Sequence, residues 1–220
     1  MLIHILSYLS CIYCFLIGFG AHPHRNTEIC TYVVDGSLTH QDNMGTKETL
    51  GRGAIQFMTA GSGVVHSEHN LDKTTPLRFI QMWITSRRSN LPPNYGSSIG
   101  DYESRHNQWH HMVSDVDNTV CTDIPIQINQ DVNIYVTELD ADKSLLFNLL
   151  PKRQAYLLCI EGDITLTNTD ATTTLEKHDA AELYSKLYDT EELPIEVKAT
   201  TSAHVLVVEM AYTGKGRSDV

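Results

Sequence analysis

Short apolar runs separated by turn-forming residues recur along almost the whole chain. The run at 29–34 is β-branched and stops at Asp35-Gly36, a turn pair. The segment 37–42 alternates around Leu38 and His40, and the run at 54–60 lies between Gly53 and Gly61-Ser62-Gly63. The most strongly apolar strand pattern covers 77–85. A polar stretch rich in Gly, Pro and Ser (87–104) reads as a linker. Strand patterns then resume at 124–128, 132–139, 154–162, 163–168, 193–199 and 203–211, and helical composition is confined to 180–188. Many short strands with turn signals between them predict an all-β sandwich or barrel. The linker divides them into two β-barrel-like halves.

The first twenty residues do not fit this rhythm. Met1 to Gly20 is almost uninterrupted apolar sequence, about the length that spans a bilayer. It admits three readings: a signal-peptide core without the usual basic start, a membrane anchor, or sequence foreign to the folded protein. Positions 3–16 lack period-two polarity and are expected to be helical or detached from the barrel. A membrane role rests on residues 1–17 alone.

Composition narrows the functional classes. Asp plus Glu number 27 against 16 Lys plus Arg in 220 residues, a net charge of -11. Without a basic cluster, direct nucleic-acid binding is not expected. The five cysteines are scattered and odd in number, so they form no disulfide framework. A reducing, cytoplasmic or nuclear setting follows. Cys11 and Cys14 make a C-x-x-C inside the apolar run, with no second pair at zinc spacing.

Four residues stand apart from the other histidines and acids. His22 and His24 flank Pro23, and an i, i+2 pair on a strand projects to one face. His66 and Glu68 repeat that spacing. Each pair follows a glycine-rich segment, Gly18-Phe19-Gly20 or Gly61-Ser62-Gly63. Two such strands side by side would converge three imidazoles and one carboxylate on one point, a ligand set for a divalent transition metal. His106, His110 and His111, near Trp109, show no acid partner in sequence, and His40, His69, His178 and His204 read as surface or packed residues.

The same segments carry a family resemblance. GFGAHPHRNTEICTYVVDGSLTHQDNMG (18–45) and AIQFMTAGSGVVHSEHN (54–70) resemble the two cupin motifs of the pirin family, and LRFIQMWI (77–84) and Pro93-Asn94-Tyr95 continue the likeness. The specific part covers 18 to about 95; the second half is similar in length and strand pattern. The resemblance implies an all-β bicupin: the apolar segment 1–17, an N-terminal metal-binding cupin domain at 18–105 and a C-terminal cupin-like domain at 106–220. It implies one metal, Fe(2+) or another divalent transition metal, held by His22, His24, His66 and Glu68. Glu28 lies outside that ligand set, and the second barrel is expected to be metal-free. Pirins carry further strands before the HPH segment, so the first barrel is expected to be incomplete, through truncation or an aberrant N-terminus, with His22 and His24 near an exposed edge.

The resemblance also implies quercetin 2,3-dioxygenase activity on a flavonol-like substrate, with Glu68 serving as ligand and catalytic proton acceptor. Phe57, Met58, Phe79 and Trp83 are either apolar walls of that site or core. The alternatives are an iron-dependent nuclear transcriptional co-regulator with protein partners, and an inactive fragment.

Overall fold

A computed structural model describes residues 3–6, 18–119, 123–185 and 190–212. It falls into two compact units, Met1–Asp101 with Asp115–Gln130, and Tyr102–Ser114 with Asp131–Val220. The described elements are almost entirely strands.

In the first unit the strands are β1 (Ile3–Leu6), β2 (Gly18–His24), β3 (Thr27–Asp35), β4 (Ser37–Asp42), β5 (Lys47–Gly51), β6 (Ile55–Thr59), β7 (Val64–His69), β8 (Arg78–Thr85) and β9 (Asn94–Ser98). They form two sheets, ordered β1-β8-β3-β6-β9 and β2-β7-β4-β5. Val33, Leu38, Leu50, Ala54, Leu77 and Phe79 form one buried cluster, and Ile29, Met58 and Val64 another, with Trp83 and Tyr95 packed on it. Phe57, Met58 and Phe79 are therefore core, and only Trp83 among the four suggested walls stays half-buried beside the histidines.

The short helix α1 (Tyr102–Arg105) and β10 (His110–Asp115) follow, and then β11 (Ile126–Ile128) within the first unit's second stretch. The second unit continues with β12 (Val132–Leu139), β13 (Ser144–Leu149), β14 (Arg153–Glu161), β15 (Ile164–Thr167), β16 (Thr172–Leu175), β17 (Ala180–Tyr184), β18 (Leu193–Ala199) and β19 (Ala203–Ala211). One sheet runs β10-β12-β19-β14-β17 and the other β13-β18-β15-β16. Between them lies a single hydrocarbon core that includes Leu139, Phe147, Leu157, Val197, Val205 and Val207.

Three expectations are corrected. Residues 3–6 are not helical: β1 pairs antiparallel with β8, from Ile3 opposite Ile84 to Leu6 opposite Gln81. Ile3-His4-Ile5-Leu6, at the start of an almost uninterrupted apolar run, is too short to show a period that separates helix from strand, and the outer edge of β8 offers unpaired backbone groups to such a segment. Residues 7–17 lie outside the described residues. The helical composition at 180–188 is overridden in its first half, where β17 pairs with β14 and Ala181 and Leu183 pack on the core; residues 186–188 lie outside the described residues. The stretch 87–104 is more than a linker, because β9 completes a sheet against β6, with Gly96 opposite Phe57. A side chain at Gly96 would come within 2.6 Å of the Phe57 ring.

No helix among the described residues is long and apolar enough to cross a membrane.

Candidate metal centre

The site lies between the two sheets of the first unit and is built from cross-strand rows. On one sheet β7 sits between β2 and β4, so His66 is opposite both His22 and Asp42, and Glu68 is opposite His40. On the facing sheet Thr31 of β3 is opposite Gln56 of β6 and Gln81 of β8. The i, i+2 spacing then turns His22 with His24, His66 with Glu68, and His40 with Asp42 to one side. Among the described residues β2 is the outer strand of its sheet, leaving His22 and His24 half-buried, whereas His66 and Glu68 are each 2% exposed.

The structure brings the three predicted histidines together. Ligand atoms of His22, His24 and His66 lie within 4.8 Å of one another. Glu68 falls into a second, overlapping group with His66 and His40. His66 belongs to both. Each oxygen of Glu68 is held by an amide: Gln56 Nε2 donates to Oε1 at 2.8 Å and Gln81 Nε2 to Oε2 at 2.7 Å. Thr31 Oγ1 adds a longer contact to Oε1 at 3.5 Å. Burial raises the Glu68 pKa, and the Gln81 hydrogen bond opposes that rise.

Hydrogen bonding decides which ring nitrogens carry protons. His22 Nδ1 lies 2.8 Å from Gly20 O, which can only accept, so Nδ1 holds the proton and Nε2 of the neutral ring is a bare lone pair. On the other side, His40 Nε2 donates to Asp42 Oδ2 at 3.1 Å. That leaves His40 Nδ1 as an acceptor, 3.4 Å from His66 Nδ1. His66 Nδ1 therefore carries its proton, and Nε2 is again bare. The two bare nitrogens, His22 Nε2 and His66 Nε2, are 3.1 Å apart. Two lone pairs so close repel unless a cation lies between them. Nitrogens ~2.1 Å from one ion and at about a right angle would show this spacing. His24 Nε2 is buried with no hydrogen-bond partner. Burial, reinforced by repulsion from His22, lowers the His24 pKa to about 4 and that of His66 to about 3, which keeps both rings in the neutral, ligand form. The donor set fits a divalent transition metal.

Neighbouring groups brace this centre. Trp83 lies edge-on to His24 at 4.8 Å, and its Nε1 donates to Gln81 Oε1 at 2.8 Å. Tyr95 stacks on His40 at 4.5 Å, and its hydroxyl donates to Glu48 Oε2 at 2.8 Å. Glu28 is buried away from the cluster, bonded by Thr59 Oγ1 at 2.6 Å and Ser86 Oγ at 2.7 Å. His40 is packed, but at the site itself rather than in an unrelated core. An i, i+2 His-x-Asp pair in 37–42 is the same signal that marked the other two pairs, and it identifies His40 and Asp42. Outside this site, His106 finds in space the acid that sequence did not offer, Asp140 Oδ2 at 3.0 Å.

A fold of two strand-built units, one with a histidine and carboxylate cluster between its sheets, defines a bicupin. Residues 11–84 match the Pirin family model and 121–210 match the model described as Quercetinase C-terminal cupin domain. The chain is 33% identical over 194 residues to the putative quercetin 2,3-dioxygenase PA1210 of Pseudomonas aeruginosa, covering 88% of this chain and 78% of that protein. It is also 33% identical to the quercetin 2,3-dioxygenase of Escherichia coli K12 over 156 residues, 71% of this chain and 64% of the relative's length. The crystal structure of the bacterial pirin YhhW from Escherichia coli in complex with nickel(II) superimposes with a TM-score of 0.75 at 25% identity, covering 90% of this chain and 80% of that one. The chain belongs to the pirin family.

Proposed function

We propose that this protein is a metal-dependent dioxygenase of the quercetin 2,3-dioxygenase type, with one iron-type ion held by His22, His24, His66 and Glu68. The observation that carries the metal is the pair of bare imidazole nitrogens 3.1 Å apart beside the unpartnered His24 Nε2. The relatives' activity names the substrate class. Bound there, the ion would supply a Lewis-acid centre with open positions for a chelating flavonol and O2.

The chain's own residues do the rest. Gln56, Gln81 and Thr31 aim the Glu68 carboxylate and remove its rotational freedom before substrate arrives. Glu68 is thereby suited to take the flavonol's hydroxyl proton. The edge-on Trp83 offers an apolar side to the site, and β2 is the outer strand of its sheet among the described residues.

The test is anaerobic loading with Fe(II), elemental analysis, then addition of quercetin and air. Wild type should bind close to one metal per chain and consume flavonol and O2 together, and His24→Ala should do neither. Equal metal in wild type and a His22/His24 double alanine variant would overturn the ligand assignment. Full metal loading with no flavonol turnover would overturn the enzyme reading in favour of a metal-dependent binding protein.

A further inference from the structure

Two amides hold Glu68, and their far ends differ. Gln81 Oε1 faces the indole N–H of Trp83 at 2.8 Å, and Gln56 Oε1 faces the hydroxyl of Tyr95 at 3.1 Å. An indole N–H can only donate, whereas a phenol hydroxyl donates or accepts. The single hydrogen of the Tyr95 hydroxyl also has a nearer acceptor, Glu48 Oε2 at 2.8 Å. The Gln81 amide is therefore fixed at both ends, oxygen to Trp83 and nitrogen to Glu68. Gln56 has no such lock at its oxygen.

The direction set at Trp83 runs on to both carboxylate oxygens. Gln81 Nε2 directs one hydrogen to Glu68 Oε2 at 2.7 Å and the other to Thr31 Oγ1 at 3.2 Å. Thr31 then turns its own hydrogen to the longer contact with Glu68 Oε1 at 3.5 Å. Strand pairing puts these groups in place. Gln81 and Trp83 are i, i+2 on β8 and share its inward face, and Thr31 of β3 is opposite Gln81. Gln81 is buried at 8% exposure, so a donor lost at its oxygen is not replaced cheaply from solvent.

The same side chain touches the other flank of the centre. Its ring meets His24 of β2 edge-on at 4.8 Å, while its N–H acts through Gln81 on Glu68 of β7. We propose that Trp83 is a positioning residue of the metal centre: its donor-only indole sets the direction of the chain through Gln81 and Thr31 and so fixes the Glu68 carboxylate beside the histidines. This rests on the ligand role given to Glu68 above and not on flavonol turnover.

The test is a double-mutant cycle in the full-length protein, with Co(II) affinity measured by chelator competition. Trp83→Phe keeps a ring beside His24 and removes the N–H, and Gln81→Met keeps the chain length and removes the amide. Each alone should weaken Co(II) binding about tenfold, in the range for outer partners of metal ligands. The double variant should be no weaker than Gln81→Met, because Trp83 acts through that amide. Losses that multiply in the double variant would show that Trp83 acts by packing alone and would overturn the proposal. The benzothiophene analogue of tryptophan at position 83 keeps the two-ring shape and puts sulfur in place of the N–H. It should lose as much affinity as Trp83→Phe, and wild-type affinity in either would also overturn the proposal. Wild-type Co(II) affinity in Glu68→Ala would overturn the ligand role and this proposal together, whereas multiplied losses in the cycle would overturn this proposal alone.

Discussion

Asp42 acts on the cluster through two imidazoles without touching it. Its Oδ1 accepts from Met44 N at 2.9 Å and Thr46 N at 3.0 Å, and its Oδ2 accepts from His40. In Asp42→Asn the carbonyl oxygen must stay with the two backbone donors, so the amide NH2 turns toward His40. His40 Nε2 then becomes the acceptor, Nδ1 takes the proton, and His66 is pushed to the tautomer that carries hydrogen on Nε2. Metal affinity should fall by roughly 10–100-fold, as for other outer partners of metal histidines, in a protein that still folds. A chelator competition titration measures this, and an unchanged affinity would refute the tautomer chain. Glu68→Gln tests the other flank. The new amide would set an NH2 against one of the two amide donors that now hold the carboxylate, costing roughly 1–3 kcal/mol. Thermal melts should show that loss, and flavonol turnover should vanish. The clustering of His22, His24 and His66 was legible because same-face spacing survives in sequence, whereas the grouping of Glu68 with His66 and His40 was not. Gln56, Gln81 and Thr31 were not, since an inward strand glutamine looks like any other until the β6–β3–β8 register aligns it.

At the scale of elements, the glycines beside each ligand pair acquire a reason. A Cβ at Gly18 would lie 2.0 Å from Glu68 O and 2.5 Å from His69 Cα, so β2 can lie against β7 only with hydrogen at that position. Gly61 has φ +46°, and a Cβ there would fall 2.0 Å from Leu91 O. Gly18→Ala should therefore push the start of β2 off β7 and loosen the His22–His66 contact without altering any ligand. The expected result is weaker metal binding with little change in far-UV circular dichroism; full affinity would mean that β2 is positioned by other contacts. Strand existence was legible where β-branched apolar runs met turn residues, as in β3 and β8, but not in the equally apolar β13. It was missed where packing outweighed local preference, as in β17, or where turn-type residues formed the strand, as in β9. In both cases pairing with a neighbour supplies what the local sequence withholds.

Across the whole molecule, the two units use the same strand-built plan for different ends. The histidine and carboxylate cluster and its braces occupy the space between the first unit's sheets, while the second unit fills most of its own with hydrocarbon. Removing metal should therefore act unequally. A ligand at a hundred times its Kd stabilises the state that binds it by about 2.7 kcal/mol, and that energy belongs first to the strands that carry the ligands. In metal-free protein, His22 and His66 are left with facing lone pairs, and β2 has only β7 to hold it among the described strands. Hydrogen exchange followed by mass spectrometry, with and without a chelator, resolves the two units peptide by peptide. Amides of β2, β7 and β4 should exchange faster after chelation, with β2 changing most because it is the edge. Those of β12, β14 and β19 should keep their rates. A uniform acceleration would show that the units open as one, and no change in β2 or β7 would remove the metal from the site assigned to it.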